Sequence, residues 1–354
     1  MNASDIRLAS ELQHRPGRDP LYRLVVTNHS GATLTGFRLG VSGPARIAGD
    51  GRLDGGSIVR QLSTYCEIAP PAGYSLKPGG AWIVSTPDLA TPVRHWTDGA
   101  TAGFLILEDG STLVARTAPT RLVGSAAGRR RGTAAFPVPE RPAVPVAVIP
   151  WPERIEVVGR RTVPDGLWPM ADTAKGEGAA QAFRELVGRV FPGEGLVRAP
   201  EEGGMPVRFA EGPGGKEGYT VALAADGATV TAETSTGLLY GLVTLGQMLR
   251  GARLAADRLD FPLAGVIEDK PTMGWRGCHL DVARRFYSRE EVERFLAIMA
   301  WNKLNVLHWH LSEDEAWRVE IDAYPQLTQK TAWRGHGASL PPLLGSGPER
   351  SGGF

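Results

Sequence analysis

Cysteine is almost missing from this chain: Cys66 and Cys278 are its only two among 354 residues. That is too few for a disulfide framework. Two free thiols are the favoured reading over one long-range disulfide, and they suit a reducing compartment. Charge of one sign is also missing. Lys plus Arg number 39 against 38 Asp plus Glu, a net charge of +1, so nothing draws the chain to nucleic acid or to an anionic membrane. The one dense basic run, Arg129-Arg130-Arg131 between glycines, reads as a solvated tether. No window approaches the roughly 18 apolar residues of a membrane-spanning helix. Residues 1–20 are polar and hold no apolar signal-peptide core. The chain as written is therefore expected in the cytoplasm; a leader missing upstream would make it periplasmic or secreted. The Gly203-Gly204 and Gly214-Gly215 pairs stand alone, nothing resembles a phosphate-binding loop, and no cofactor is expected.

What is present falls into three segments. Residues 1–126 read as a β-sandwich of short strands with frequent Gly and Pro, a candidate carbohydrate-binding domain. Tyr22–Thr27 is expected to pair with Thr35–Val41 across the turn Asn28-His29-Ser30-Gly31. Ala102–Leu107 and Ser111–Arg116 flank Glu108-Asp109-Gly110 as a hairpin. Trp82, His95 and Trp96 are candidates for a sugar-stacking platform, weighed against core filling, which is favoured. Residues 127–147 are a Pro/Arg-rich linker, because proline at that density blocks helix and sheet interiors. Residues 148–268 read as α+β. Gly218–Leu223 and Ala228–Glu233 are strands around Ala225-Asp226-Gly227. Ser235 caps a helix whose Leu238, Leu239, Leu242, Leu245 and Leu249 share one face and which Gly251 ends. A further helix is expected over Ala179–Arg189.

Residues 274–318 carry the chemistry. Gly277–Ala283 is an apolar strand. Ser288-Arg289-Glu290-Glu291 is a capping box that opens a helix with Val292, Phe295, Leu296, Met299 and Ala300 on one face. Asn302, tolerant of the left-handed conformation, ends it. Leu304–His310 is the second strand. So short a crossover predicts parallel strands. Function in such folds gathers at the C-terminal ends of the strands. Those ends read Asp281-Val282-Ala283-Arg284-Arg285 and His308-Trp309-His310-Leu311-Ser312-Glu313-Asp314-Glu315. Carboxylates, imidazoles, guanidinium groups and an indole on one rim suit a polyhydroxylated ligand.

The strings Gly274-Trp275-Arg276-Gly277, Leu280-Asp281-Val282-Ala283-Arg284 and Trp301-Asn302-Lys303-Leu304-Asn305-Val306-Leu307-His308-Trp309-His310 resemble glycoside hydrolase family 20, the β-N-acetylhexosaminidases. Tyr324-Pro325-Gln326-Leu327-Thr328 continues the likeness, which covers about residues 148–336. The resemblance implies a multidomain chain: an N-terminal β-sandwich, an α+β non-catalytic domain, and over 269–354 the first strands of a (β/α)8 TIM barrel, left incomplete. It implies that Arg284 binds hydroxyls of the terminal sugar, and that Asp281, His310, Glu313 and Asp314 support the site. The family usually has histidine where Arg285 stands and Asp-Asp where Glu313-Asp314 stands. Arg276, at the start of its strand, is read as structural.

The implied reaction is substrate-assisted: the sugar's own 2-acetamido oxygen attacks the anomeric carbon while a glutamic acid protonates the leaving oxygen. The resemblance puts that Asp-Glu pair after the fourth barrel strand. The only Asp-Glu dipeptide here is Asp314-Glu315, after the second, so no catalytic residue is assigned and the pair is expected beyond Phe354. The chain alone is expected to be inactive, with exposed sheet edges that promote aggregation. The expected partners are glycans ending in N-acetylglucosamine or N-acetylgalactosamine. Two alternatives remain at this point: a non-catalytic carbohydrate-binding protein, and a metal-dependent hydrolase using His308 and His310, whose spacing puts both imidazoles on one strand face.

Overall fold

A computed structural model describes residues 5–124, 144–255 and 260–354. Most of the linker expected at 127–147, including its arginine run, lies outside the described residues. The chain divides into two compact units: residues 1–137 with 281–286 and 310–354, and residues 138–280 with 287–309.

In the first unit, strands β1 (Ile6–Arg15) and β2 (Arg18–Asn28) alternate, with Ile6, Leu8, Leu24 and Val26 on one buried face. The chain continues through β3 (Arg38–Ser42), β4 (Arg46–Ile47), β5 (Ser57–Leu62), β6 (Tyr65–Ala69), β7 (Ala81–Thr86), β8 (Leu89–Thr91), β9 (Ala102–Ile106), β10 (Thr112–Thr117) and β11 (Arg121–Val123). Nine of these form one sheet in the order β5-β6-β3-β9-β10-β1-β2-β7, with β11 beside β1; β4 pairs with β8. A sandwich of two separate sheets was the expectation. Instead the parallel pairing of Arg7 with Arg116 and Leu8 with Thr117 joins the halves into one path. The Trp82 indole of β7 donates to the Gly55 carbonyl before β5 at 2.7 Å, and Asp54 bridges Ser85. The ends of the path therefore meet, and the sheet curls around a core of Leu8, Val26, Leu39, Ile68, Trp82 and Leu105.

The pairing of Tyr22–Thr27 with Thr35–Val41 is not formed. β2 pairs with β1 and β7, and β3 with β6 and β9. Pro16-Gly17 makes the tighter turn, with Gly17 at φ +67°. The Asn28 side chain is buried and donates to the carbonyls of Ala32 and Leu76, at 2.8 and 3.0 Å, which sends the chain to the other half of the sheet. The β9–β10 hairpin forms as its turn predicts, with Gly110 at φ +80°. The three-aromatic platform does not form, because Trp82 belongs to the core while Trp96 stays 53% exposed beside His95.

The second unit holds β12 (Arg154–Val158), β13 (Gly166–Met170), α1 (Ala174–Val190), β14 (Gly204–Glu211), β15 (Tyr219–Ala224), β16 (Gly227–Ala232), α2 (Ser235–Leu254) and β17 (Ala264–Asp269). Its six-stranded sheet runs β12-β17-β15-β16-β14-β13. Leu238, Leu242, Leu245 and Leu249 of α2 are buried against it, each worth about 1.5–3 kcal/mol. The cap of α2 is Thr234, one residue before Ser235; its hydroxyl accepts from the Gly237 N–H at 3.1 Å. Gly251 lies inside this helix, where a Cβ would sit 2.3 Å from that of Ala147, so it serves close packing and not termination.

β18 (Gly277–Asp281), α3 (Arg289–Trp301) and β19 (Val306–His310) follow. The amides of Asn305 and Val306 donate to the Arg276 carbonyl, and that of Val282 to His310. Those bonds advance in one direction along both strands, so the strands are parallel. The capping box at Ser288 and Glu291 is present. Asn302 keeps φ −96°; Lys303 takes the left-handed conformation at φ +56°. Tertiary anchoring explains the shift by one residue. The buried Lys303 Nζ donates to the Tyr219 hydroxyl at 2.6 Å and to Asp269 at 3.2 Å. Burial lowers its pKa, and Asp269 opposes that. Cys66 and Cys278 are free thiols. No helix among the described residues is long and apolar enough to cross a membrane.

Candidate active site

Asp281 ends β18 and folds the chain back on itself. Its Oδ1 accepts the backbone N–H groups of Ala283 and Arg284, each at 3.0 Å. Its Oδ2 lies 2.9 Å from Arg284 Nη1. Burial pushes the Asp281 carboxyl up, but the bonds from the Arg284 amide and guanidinium outweigh it and hold the pKa below the ordinary value. Arg284 Nη2 meets Glu313 Oε2 at 2.7 Å, and Nη1 faces His310 Nε2 at 3.4 Å. A guanidinium can only donate, so that ring nitrogen is the acceptor. The Arg284 side chain remains 43% exposed, and part of its planar fork still faces solvent.

After β19 the chain makes a small hairpin in which Glu313 pairs with Ala316 across Asp314-Glu315. The Glu315 amide donates to Glu313 Oε1 at 3.1 Å. Burial and the hydrogen bond with Asp314 push the Glu313 carboxyl up to about 7, and the Arg284 charge only partly offsets them. A carboxyl whose folded pKa is raised binds its proton more tightly folded than unfolded. Its contribution is complete below about 4.5, the ordinary value, and disappears as pH rises through about 7. Relative to a Glu313→Gln variant, the wild-type chain should therefore lose about 2–3 kcal/mol of unfolding free energy over that range. Denaturant unfolding at several pH values checks this. A wild-type-minus-variant difference that stays flat across the range contradicts it.

Two residues with no place in the sequence reading complete the surroundings. Arg318 is 8% exposed, and its guanidinium donates to the carbonyls of Val282, Ala283, Ala332 and Gly353. Burial, and then the like charge of Arg334, push its pKa down to about 10. Arg334, also buried, donates to the carbonyls of Ala283 and Glu315. Both bind backbone carbonyls, which no residue-type pattern announces; only the arginine after Trp317 and the one after Trp333 could have drawn attention. A cavity of about 470 Å³ opens between Arg284, Arg285 and the Leu344–Gly347 loop.

Not every expected residue joins this cluster. Strand alternation puts Trp309 on the face of β19 opposite His310. The His308 ring packs on that of His279, with centroids 4.6 Å apart. His310 faces a guanidinium, which repels a cation, and no group of three or more His, Cys, Asp or Glu able to hold a metal occurs among the described residues. Arg276 is held at the start of β18 by Glu217, at 2.7 Å, and by the Lys303 carbonyl, at 2.9 Å.

Residues 146–270 match the profile described as glycosyl hydrolase family 20, domain 2, and residues 273–350 match that described as glycosyl hydrolase family 20, catalytic domain. A β-hexosaminidase of Vibrio furnissii is 27% identical over 302 residues, which are 84% of this chain and 48% of that protein. A β-N-acetylhexosaminidase of Cellulomonas fimi is 35% identical over 175 residues, 48% of this chain and 32% of that one. The chain thus spans about half the length of the Vibrio furnissii relative. The crystal structure of a family 20 exo-β-N-acetylglucosaminidase from Vibrio harveyi, in complex with N-acetylglucosamine, shares the fold at a TM-score of 0.73 and 24% identity, covering 99% of this chain and 53% of that one. With both profiles matched in order along more than half of its length, the chain belongs to glycosyl hydrolase family 20.

Proposed function

We propose that this chain is part of a β-N-acetylhexosaminidase that removes terminal, non-reducing N-acetylglucosamine or N-acetylgalactosamine residues with retention of configuration. The observation that carries the reading is the Arg284 guanidinium, held between Asp281 at 2.9 Å and Glu313 at 2.7 Å where β18 ends. Two carboxylates fix the direction of a planar fork, and a fixed fork can hold paired sugar hydroxyls. Arg284 is assigned to the sugar. Asp281, Glu313 and His310 orient it, and Asp314 acts on it through the Glu313 carboxyl. The 2-acetamido oxygen of the sugar attacks the anomeric carbon, the leaving oxygen takes a proton, and water then opens the oxazolinium ion on the original face. The carboxylates for those proton transfers are assigned to no residue of this chain, which by itself is expected to be inactive. The domain order is an N-terminal sandwich-like sheet, an α+β domain over 148–268 and the first strands of the barrel after it.

The test is p-nitrophenol release from p-nitrophenyl N-acetyl-β-D-glucosaminide, comparing the 354-residue chain with the longest reading frame that contains it. Activity in the longer protein alone is the expected result. Activity in the short chain would overturn the assignment of catalysis elsewhere. Binding of chitobiose without hydrolysis by either form would favour a non-catalytic carbohydrate-binding protein.

A further inference from the structure

The turn between β5 and β6 is made of two residues, Ser63 and Thr64, since Leu62 pairs with Tyr65. Ser63 has φ +49°, a conformation that glycine takes without steric cost and that a side chain disfavours. A strained turn residue with a side chain calls for a reason that glycine would not satisfy. Here the hydroxyl donates to Glu315 Oε1 at 3.1 Å, across 252 positions of sequence. The other carboxylate oxygen of Glu315 is buried and has no hydrogen-bond partner, so the Ser63 hydroxyl gives this carboxylate its directional contact, beside the charge of Arg334. The Glu315 amide in turn holds Glu313 Oε1 at 3.1 Å, and Glu313 Oε2 holds Arg284 at 2.7 Å.

The same turn grips the far wall of the cavity beside Arg284. Thr64 Oγ1 accepts from the Leu344 amide at 2.8 Å, and Ser42 Oγ, on β3, from the Gly345 amide at 2.8 Å. Leu343, 2% exposed, is buried with Tyr65, Phe104 and Ile106. Three hydrogen bonds and an apolar plug therefore link the N-terminal sheet to the segments that surround Arg284.

We propose that the Ser63-Thr64 turn is a positioning element of the sugar site, acting on Arg284 through Glu315 and Glu313, so that the N-terminal sheet forms part of the site's framework. The sugar-holding role of Arg284 rests on the function proposed above; the positional link does not. Serine at 63 sets the register of the acidic hairpin, and threonine at 64 that of the Leu344–Gly347 loop.

The experiment uses the full-length protein with Ser63→Gly and Ser63→Asn. Glycine relieves the left-handed backbone and removes the hydroxyl. Asparagine tolerates that backbone and brings an N–H donor. The expected result for Ser63→Gly is an equal or higher melting temperature, with KM raised about tenfold and kcat within about twofold of wild type. Hydrogen exchange should speed up across residues 311–317. Ser63→Asn should recover part of both effects. A Ser63→Gly protein with wild-type KM and wild-type exchange over those residues would overturn the proposal. So would a lowered melting temperature accompanying the change in KM, which would reduce Ser63 to a support of the fold. Wild-type protein that cannot hydrolyse the substrate refutes the proposed function alone, and the exchange comparison still decides the role of Ser63.

Discussion

Arg284→Ala in the full-length protein is expected to lower kcat/KM for p-nitrophenyl N-acetyl-β-D-glucosaminide by about 100- to 10,000-fold. Two charge-assisted hydrogen bonds to sugar hydroxyls are worth about 1.5–3 kcal/mol each, and each 1.4 kcal/mol is tenfold. The loss has a second source. Asp281 and Glu313 both point at the guanidinium, at 2.9 and 2.7 Å, and without it two carboxylates face one gap. Glu313 would then rise further in pKa, because the Arg284 charge that lowers it is gone. Arg284→Lys should recover little, since an ammonium presents a point charge where the site is built for a fork. Steady-state kinetics on the three proteins reads the result. A loss smaller than tenfold for Arg284→Ala would mean that another residue holds the terminal sugar.

The largest effect on stability is expected from Arg318→Met. This guanidinium joins Val282 and Ala283 after β18 to Ala332 and to Gly353, segments far apart in sequence. Methionine fills much of the volume but takes a donor from four carbonyls; Ala283 keeps Arg334 and Ala332 keeps the Gly353 amide, while those of Val282 and Gly353 lose the guanidinium. Each orphaned buried acceptor costs about 1–3 kcal/mol, and relief of the buried charge returns part of that, so the net loss should be about 2–4 kcal/mol. Denaturant unfolding of the wild-type and variant proteins measures it, with faster hydrogen exchange expected in residues 311–354. An unfolding free energy within about 1 kcal/mol of wild type would show that the desolvation of Arg318 cancels its hydrogen bonds. The kinetic and stability variants separate two uses of arginine that the sequence does not distinguish. Arg284 faces carboxylates and solvent, while Arg318 faces backbone and is closed off.

Local chemistry made much of the chain legible from sequence. The capping box at Ser288-Glu291, the hairpin at Asp109-Gly110, the leucine face of α2 and the parallel β18–α3–β19 unit each depend on residues a few positions apart, and each is present. The strings around Asp281-Arg284 and His308-His310 identified the family for the same reason: a motif is a local pattern, and both profiles match here.

Long-range pairing was the part that sequence did not determine. β2 takes β1 and β7 as partners because Pro16-Gly17 turns more tightly and Asn28 is buried, and no periodicity ranks one turn against another. Trp82 enters the core while Trp96 stays outside, although both are tryptophans in Gly/Pro-rich surroundings. The left-handed residue after α3 is Lys303, not Asn302, because its ammonium is anchored on Tyr219 and Asp269, residues 84 and 34 positions away. The partners of Arg284 span Asp281 to Glu313, and those of Glu315 reach back to Ser63. The sequence by itself settled which residue types and local elements were available and which family they belong to. Which carboxylate meets which guanidinium was decided only by the tertiary structure, because hydrogen bonds and ion pairs act over a few ångströms and chain closure alone sets which distant residues come that near.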